Sequence, residues 1–288
     1  MTAERAIGKV GVVGLGAMGA GIAQVSIEAG FETVGRELSE ELAERARARI
    51  EHFLTRKVEK GQIEAAVRDA ALERLTLTTE VADLDGCDVV IEAVIEELEP
   101  KQRLFRELER VCRADTVLAT NTSALSVTAI ASAVESPQRV VGMHFFNPAP
   151  LMPLVEVVRA ELSADDAVET AFVLAERLGK HPIRCEDTPG FVVNRVLIPL
   201  LNDCVRVLDE AGVTVEDLDT AMKDGARWPM GPCELLDLVG LDVHLHASES
   251  LHERYPDPRM ALPPRIVEMA KAGLLGRKSG RGFYDYGG

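Results

Sequence analysis

The first two thirds of the chain alternate short apolar runs with longer amphipathic segments. Strand-like apolar runs occupy residues 9–16, 31–37, 75–79, 87–94, 116–123, 139–148 and 153–159. Most are almost continuously apolar, which is typical of strands covered on both faces of a sheet. Helical patterns separate several of them, notably at 100–113 and 163–178. The alternation predicts an α/β fold with a doubly wound, mostly parallel sheet.

One long helix is predicted over residues 40–58. Its apolar positions recur at steps of three or four residues: Leu42, Ala46, Ile50, Phe53, Leu54 and Val58. This spacing puts one apolar stripe on a helix that is otherwise charged.

The pattern changes near residue 187. Beyond it almost every signal is helical, at 190–210, 214–224, 231–254 and 262–272. Asp187 or Thr188 can cap the first of these helices, and Pro189 suits its first turn. We therefore predict two domains, a doubly wound domain of residues 1–187 and an all-helical domain of residues 188–288.

Composition narrows the class of protein. The 288 residues are 47% hydrophobic, enough for one large or two modest cores. There is no run of about 20 apolar residues as a membrane span requires, and the N-terminal MTAERAIGKV carries no cleavable signal pattern. The five cysteines are single and show no metal-ligand spacing, which favours reduced thiols. These features predict a soluble cytoplasmic protein.

The net charge of −15 argues against a nucleic-acid partner, because duplex binding depends on Lys and Arg neutralising phosphates. The same acidity makes any local cluster of positive charge more informative.

The sequence GLGAMG, residues 14–19, lies where the first strand meets the first helix. It comprises Gly14, Leu15, Gly16, Ala17, Met18 and Gly19. Glycines at this spacing allow a tight turn and close approach of a dinucleotide diphosphate to the helix N-terminus. Glu37 follows 18 residues after Gly19, where a carboxylate can accept both ribose hydroxyls and select NAD over NADP. Arg36 beside it can meet a 2′-phosphate, so NADP stays open. A tight connection without any ligand is the alternative.

A second motif, HFFNPAPLMPLVEV, covers residues 144–157. It places His144 and Glu156 inside apolar runs, where an unpaired polar group costs roughly 2–7 kcal/mol to bury. Either each side chain finds its own local partner, or the two pair with each other.

Seven segments together resemble the L-3-hydroxyacyl-CoA dehydrogenases, and most closely their short, single-function 3-hydroxybutyryl-CoA type. They are GVVGLGAMGAGIA, VIEAVIEELEPK, NTSALSV, GMHFFNPAPLMPLVEVV, DTPGFVVNR, PMGPCELLDLVGLD and GRKSGRGFYDY. They follow the family order from residue 9 to residue 286. The resemblance implies a Rossmann-type NAD-binding domain, a helical domain that completes the substrate site and dimerises, and a place in fatty acid metabolism.

The resemblance also implies a catalytic pair. His144 matches the family's general acid and base, and Glu156 matches the residue that orients it. Oxidation of a secondary alcohol needs a base on the hydroxyl proton, and a carboxylate on the other ring nitrogen fixes the tautomer.

Further positions carry over by motif. Ser123 and Asn194 match substrate-bonding residues of the family, and Ser123 is also placed near the cofactor. Lys60 matches a lysine that meets the phosphates of coenzyme A. Each has an ordinary alternative: a strand-end serine, a capping amide and an exposed lysine.

Four residues match positions on the cofactor side. They are Glu96, Lys101, Asn147 and Lys278. Glu96 and Lys101 would otherwise pass as surface charges, and Lys278 as a solvated charge near the C-terminus.

Three positions depart from the family pattern. Phe53 stands near a small polar contact to the substrate, Glu37 stands where aspartate is more usual, and Trp228 stands where a histidine is frequent. The first two bear on which thioester and which nicotinamide cofactor are used.

Two other patterns are dismissed. The NTS of residues 121–123 fits a glycosylation acceptor, but no secretion signal accompanies it. His244 and His246 are two residues apart on a predicted helix and so face nearly opposite sides, and we expect no metal.

The resemblance implies reversible, NAD-dependent oxidation of a (3S)-3-hydroxyacyl-CoA to the 3-ketoacyl-CoA by a homodimer without membrane or nucleic-acid partners. One alternative is the same chemistry on a thioester held by a carrier protein. Another is a non-catalytic NAD-binding relative.

Overall fold

The computed structural model describes residues 7–287. The chain forms two compact units, Met1–Thr188 and Pro189–Gly288. The predicted domain boundary lies one residue before this division, while the roles given to the two domains stay predictions.

The first unit is built on one eight-stranded sheet. Its strands are β1 Lys9–Val13, β2 Glu32–Arg36, β3 Leu75–Thr78, β4 Val89–Glu92, β5 Val117–Thr120, β6 Val140–Phe145, β7 Leu154–Arg159 and β8 His181–Glu186. Their order is β3-β2-β1-β4-β5-β6-β7-β8. All neighbours are parallel except the antiparallel pair β6 and β7. The predicted doubly wound, mostly parallel sheet is confirmed.

Six helices cover the sheet. They are α1 Ala17–Glu28, α2 Glu40–Glu59, α3 Ala65–Glu73, α4 Leu98–Val111, α5 Val127–Ala131 and α6 Asp165–Arg177. Short 3₁₀ turns lie at Val81–Leu84 and Pro137–Arg139. The central strands β4, β5 and β6 are buried along their whole length, as a sheet covered on both faces requires.

Helix α2 shows how its sequence sets its limits. The Ser39 hydroxyl accepts from the backbone N–H of Leu42 at 3.3 Å, and acidic residues fill the first turn while basic residues fill the last, which complements the helix dipole. Ile50 and Leu54 on the predicted stripe are buried, but Phe53 is 47% exposed. Not every position of the predicted apolar stripe is therefore buried.

The second unit is helical. Its helices are α7 Val193–Ala211, α8 Val215–Thr220, α9 Pro232–Val239, α10 Leu241–Arg254 and α11 Pro264–Lys271. A π-helical turn spans Ala221–Gly225, and 3₁₀ turns span Pro258–Met260 and Arg277–Ser279. The predicted continuous helix over 231–254 was wrong, because Gly240 has φ 98° and divides it.

The predicted cap at Asp187 or Thr188 was also wrong. Helix α7 begins at Val193. The Asp187 carboxylate instead accepts from the Ser126 hydroxyl at 2.6 Å and from the Thr128 backbone N–H at 2.8 Å. It therefore caps α5, a helix more than 50 residues earlier in the chain.

Candidate active site

The turn between β1 and α1 is built by glycines that serve two different needs. Gly14 has φ +83°, and a side chain there would approach the Ala93 carbonyl oxygen at 2.8 Å; a Cβ on Gly19 would lie 1.8 Å from the Gly14 oxygen. Glycine is therefore required at both positions, because any side chain would collide with backbone atoms. A Cβ on Gly16 would meet nothing within 4 Å, and no side chain caps α1 there. Gly16 thus leaves room at the helix N-terminus, where an anionic diphosphate fits.

The carboxylate of Glu37 lies against this turn. Its Oε1 accepts from the Leu15 backbone N–H at 2.6 Å, and its Oε2 accepts from Leu38 N–H at 2.9 Å. Arg36 points its Nε to the Thr79 carbonyl at 3.1 Å. The acid, rather than the neighbouring guanidinium, is held at the glycine turn, as a ribose-binding carboxylate requires.

His144 and Glu156 pair with each other. The antiparallel register of β6 and β7 sets them directly opposite, and His144 Nδ1 lies 2.7 Å from Glu156 Oε2. His144 is 5% exposed and Glu156 is fully buried. The ring of Phe146 covers the imidazole, with centroids 4.4 Å apart. Of the two alternatives left open by the sequence, mutual pairing is correct.

The loop after His144 packs on α1. It contains a cis peptide between Asn147 and Pro148, and a Cβ on Gly21 of α1 would come within 3.1 Å of Pro150. Buried Lys180 donates from Nζ to the carbonyls of Ala149 at 2.5 Å and Met152 at 3.0 Å. These contacts fix the loop that carries Asn147.

Ser123 lies in a turn after β5 that one carboxylate organises. Glu96 Oε1 accepts from the Thr122 hydroxyl at 2.6 Å and from the backbone N–H groups of Ser123 at 2.8 Å and Ala124 at 3.1 Å. Burial would raise the pKa of Glu96, but the Lys101 ammonium, the Thr122 hydroxyl and the Ser123 N–H outweigh it and lower that pKa. Glu96 is therefore held ionised beside Ser123.

Lys101 is buried. Only 1% of it is exposed, and its Nζ lies 2.6 Å from Glu92 Oε1 and 3.2 Å from Glu96 Oε2. The alternative of a surface charge was wrong for Lys101. Its contact with the cofactor stays a prediction.

These groups share one edge of the sheet. Gly14 follows β1, Glu37 follows β2, Ser123 follows β5, and His144 lies near the end of β6. Because these strands are parallel, all four lie at the carboxyl edge, where doubly wound sheets bind their ligands. The Asn121 side chain joins two of the segments by accepting from the Phe145 N–H at 2.9 Å.

A cavity of about 710 Å³ opens between α1, α2 and the loop after His144. Lys60 and Asn147 line it, as do Phe53 and three cationic residues that the sequence analysis did not single out: Arg49, Arg56 and Lys57. Lys57 is paired with Glu28. The signal was available in the sequence, because positions 49, 53, 56 and 60 recur at steps of four, three and four and so share one helical face.

Three residues that the sequence analysis singled out lie in the second unit. Asn194 lies in the first turn of α7. Lys278 forms an ion pair with Asp242 of α10, and its side chain is 45% exposed. The partly buried Trp228 packs against a cluster around Leu201 and Leu236.

His244 and His246 have separate environments. His244 is buried, with its Nε2 2.8 Å from Asn202 Oδ1, and His246 Nδ1 lies 2.7 Å from the Asp242 carbonyl. Within residues 7–287, no three His, Cys, Asp or Glu side chains are grouped to hold a metal ion. Over the same range, no helix is long and apolar enough to cross a membrane.

Comparison with known proteins gives the same family over both units. The model of the 3-hydroxyacyl-CoA dehydrogenase NAD-binding domain matches residues 9–188, and that of the family's C-terminal domain matches residues 190–286. A 3-hydroxybutyryl-CoA dehydrogenase of Mycobacterium tuberculosis is 45% identical over 283 residues, covering 98% of this chain and 99% of the relative.

Two solved structures are similar along almost the whole chain. FadB2 of M. tuberculosis has a TM-score of 0.94 at 45% identity, covering 98% of this chain and all of that one. PaaH1 of Ralstonia eutropha, an (S)-3-hydroxybutyryl-CoA dehydrogenase, has a TM-score of 0.94 at 37% identity with the same coverage.

Proposed function

Because this chain belongs to the 3-hydroxyacyl-CoA dehydrogenase family of NAD-dependent oxidoreductases, we propose that it interconverts (3S)-3-hydroxybutyryl-CoA and acetoacetyl-CoA. The observation that carries the proposal is the buried contact of 2.7 Å between His144 and Glu156. It lies at the same sheet edge as a glycine turn with room for a diphosphate.

The dyad supplies the proton chemistry. When Nδ1–H donates to Glu156, Nε2 is the nitrogen that takes the hydroxyl proton as the alcohol is oxidised, and the carboxylate stabilises the imidazolium that forms. The nicotinamide of bound NAD would supply the acceptor for the hydride that leaves C3. In the reverse direction His144 returns the proton to the ketone oxygen.

The turn at residues 122–124 orients the substrate in this proposal. Ser123 bonds to the reacting oxygen beside His144, and Asn194 bonds nearer the thioester. The backbone of residues 14–19 and the Glu37 carboxylate hold the diphosphate and ribose of NAD, with Asn147 near the nicotinamide. Glu96, Lys101 and Lys278 are the remaining proposed cofactor-side residues.

The cationic cavity favours coenzyme A as the carrier of the acyl group. Arg49, Arg56 and Lys60 bring positive charge together in a chain of net charge −15, and coenzyme A carries three phosphate groups. Phe53 is an exposed aromatic ring among them, and such rings stack on bases.

Two wider properties belong to the proposal. Val196, Leu200 and Val207 of α7 are exposed apolar residues on one helical face, which supports a homodimer formed through the second unit. All five cysteines are free, which supports a cytoplasmic location.

The test is NADH consumption by the purified protein with acetoacetyl-CoA, run beside NADPH and a matched carrier-protein thioester. We expect turnover with NADH and the coenzyme A thioester, and a loss of about 100-fold or more in His144→Ala. His181→Ala removes an exposed histidine of the same unit and should leave turnover unchanged. No turnover by wild type, or near-normal turnover by His144→Ala, would show the proposal to be wrong.

A further inference from the structure

The cavity between α1, α2 and the loop after His144 is lined by two chemically different sets of residues. Helix α2 supplies its positive charge through Arg49, Arg56 and Lys60. Helix α1 and the loop supply mostly small and apolar side chains: Ala17, Ala20, Gly21, Pro148, Pro150 and Leu151. A ligand that matches both sets carries negative charge in one part and apolar groups in another.

The apolar loop is held by a buried lysine. Lys180 is 8% exposed, and its Nζ donates to the carbonyls of Ala149 at 2.5 Å and Met152 at 3.0 Å. These two carbonyls lie on either side of Pro150 and Leu151 in the sequence, so the lysine closes the loop around them. We name residues 147–153 the proline loop.

The lysine is itself fixed on the fold. Its backbone N–H donates to the Ala175 carbonyl at 3.0 Å, and the N–H of the next residue donates to the Pro153 carbonyl at 2.7 Å. Glu28 and Lys57 are the charged groups that act on it, and they pair with each other. Because the ammonium is bonded to neutral carbonyls, a variant without it leaves no carboxylate buried without its counter-ion.

Leu151 is the side chain that this arrangement holds against the cavity. It is 75% exposed, although its N–H and that of Met152 are both bonded to the Pro148 carbonyl, at 2.9 Å and 3.0 Å. Single exposed leucines are common on protein surfaces. This one differs because a turn and a buried lysine fix its backbone beside a cationic face, where it can contact a ligand.

We propose that Leu151, held in place by Lys180, determines specificity by contacting the pantetheine arm of the coenzyme A thioester. This inference rests on the proposed function, which places the phosphates of coenzyme A against the cations of α2. Pantetheine joins those phosphates to the reacting thioester, and its carbon with two methyl groups is the most apolar part of the carrier. Leu151 is the contact with this group, and Lys180 is a positioning residue.

Three thioesters of one acyl group separate the parts of the carrier. Acetoacetyl-CoA has the nucleotide and the whole arm, acetoacetyl-pantetheine lacks the nucleotide, and acetoacetyl-N-acetylcysteamine also lacks the dimethyl carbon. Leu151→Ala should raise the KM for the first two roughly 10-fold, as loss of an apolar contact in a binding site does, and leave the third within about twofold. Leu151→Met keeps a long apolar side chain and should leave all three KM values unchanged.

Lys180→Met tests the positioning role. Methionine keeps much of the apolar stem but cannot donate to the two carbonyls of the proline loop. We expect the same rise in KM for the first two thioesters. In a Leu151→Ala background, Lys180→Met should raise these KM values by less than about a further twofold, because residues that act as a unit are not additive.

Arg177→Met is the matched control for Lys180→Met. Arg177 also donates to a backbone carbonyl of the first unit, that of Ile7, at 2.8 Å. This contact precedes β1 and so lies at the amino edge of the sheet, away from the proline loop. Arg177→Met should lower the melting temperature and leave the three KM values unchanged.

Three results would overturn the inference. An unchanged KM for acetoacetyl-pantetheine in Leu151→Ala would exclude contact with the arm, and an equal rise for all three thioesters would place Leu151 at the acyl group. A fall in kcat with unchanged KM in Lys180→Met would show that the lysine acts through Asn147. If Lys180→Met does not fold, the two Leu151 variants still decide the contact. A wild-type protein inactive on acetoacetyl-CoA would instead refute the proposed function.

Discussion

Gly16 and Gly19 lie three residues apart in one turn, and replacing each by alanine should have opposite consequences. Gly16 has φ −61° and ψ −158°, which alanine adopts without strain, and its added Cβ would meet no atom within 4 Å. Replacing an N-cap glycine by alanine costs about 1 kcal/mol or less. For a unit of this size that lowers the melting temperature by roughly 2–4 °C.

The same Cβ on Gly19 would lie 1.8 Å from the carbonyl oxygen of Gly14. Gly14 has little room to move away, because Ala93 packs closely against it: a Cβ on Gly14 would lie 2.8 Å from the Ala93 carbonyl oxygen. Overpacking of this kind costs about 3 kcal/mol or more. Gly19→Ala should therefore lower the melting temperature by roughly 6 °C at least, or abolish folding.

NADH binding should reveal the effect of Gly16→Ala that stability does not. This variant, which hardly affects folding, should bind NADH more weakly than wild type. A methyl group on Gly16 occupies the space where a diphosphate approaches the N-terminus of α1, and losing one charge-assisted hydrogen bond weakens binding by about 1.5–3 kcal/mol. Fluorescence titration with NADH should show Gly16→Ala binding roughly 10- to 100-fold more weakly, while calorimetry shows a nearly native fold. Wild-type affinity in Gly16→Ala, or wild-type stability in Gly19→Ala, would refute the assignment of this turn.

Three further variants test other parts of the site and the fold. Glu156→Gln should lower kcat on acetoacetyl-CoA by about 100-fold or more while NADH still binds; a loss below about threefold would contradict the dyad. Phe53→Ala should raise the KM for acetoacetyl-CoA roughly 10-fold, since base stacking is worth about 1–3 kcal/mol, and leave the KM for acetoacetyl-N-acetylcysteamine unchanged; equal effects would contradict stacking on adenine. Burial lowers the pKa of His244 from 6.5 to about 4, so the unfolded chain binds the extra proton and stability falls as pH falls through that window. Between pH 7 and pH 5 this lowers the free energy of unfolding by about 2 kcal/mol. In urea unfolding, His244→Gln should therefore lose about 2 kcal/mol less than wild type over the same pH range. Equal losses in the two proteins would contradict this prediction.

Most of the sheet can be predicted from the sequence, because each central strand is a short apolar run that is recognisable without its neighbours. β4, β5 and β6 are short, apolar and fully buried. The edge strand β8 was missed because HPIRCE alternates polar, apolar and proline residues, and its side chains are half-exposed. Helix α3 was missed for a related reason, since Ala71 is its one buried residue and so gives no apolar stripe.

Some residues of the candidate site can likewise be predicted from local motifs, while others depend on contacts with distant parts of the chain. The glycine turn and the pair of His144 with Glu156 follow from motifs whose residues are close in sequence or opposite in a hairpin. The burial of Lys101 could not be predicted, because it stands in the charged run EELEPKQR and its buried partner Glu92 lies at the end of another element. The exposure of Phe53 was equally hidden, since its spacing fits both the core stripe and the cationic face of α2.

The choice between NAD and NADP shows what the tertiary contacts add to two adjacent residues. From sequence, Arg36 can bind a 2′-phosphate as readily as Glu37 can bind ribose hydroxyls. In the structure the Arg36 Nε donates to the Thr79 carbonyl, which directs it to β3, while Glu37 accepts from the Leu15 N–H inside the glycine turn. A carboxylate fixed there repels the two negative charges of a 2′-phosphate and accepts hydroxyl donors. The electrostatics of the turn therefore favour NAD, in agreement with the NAD-binding domain that the family model matches over residues 9–188.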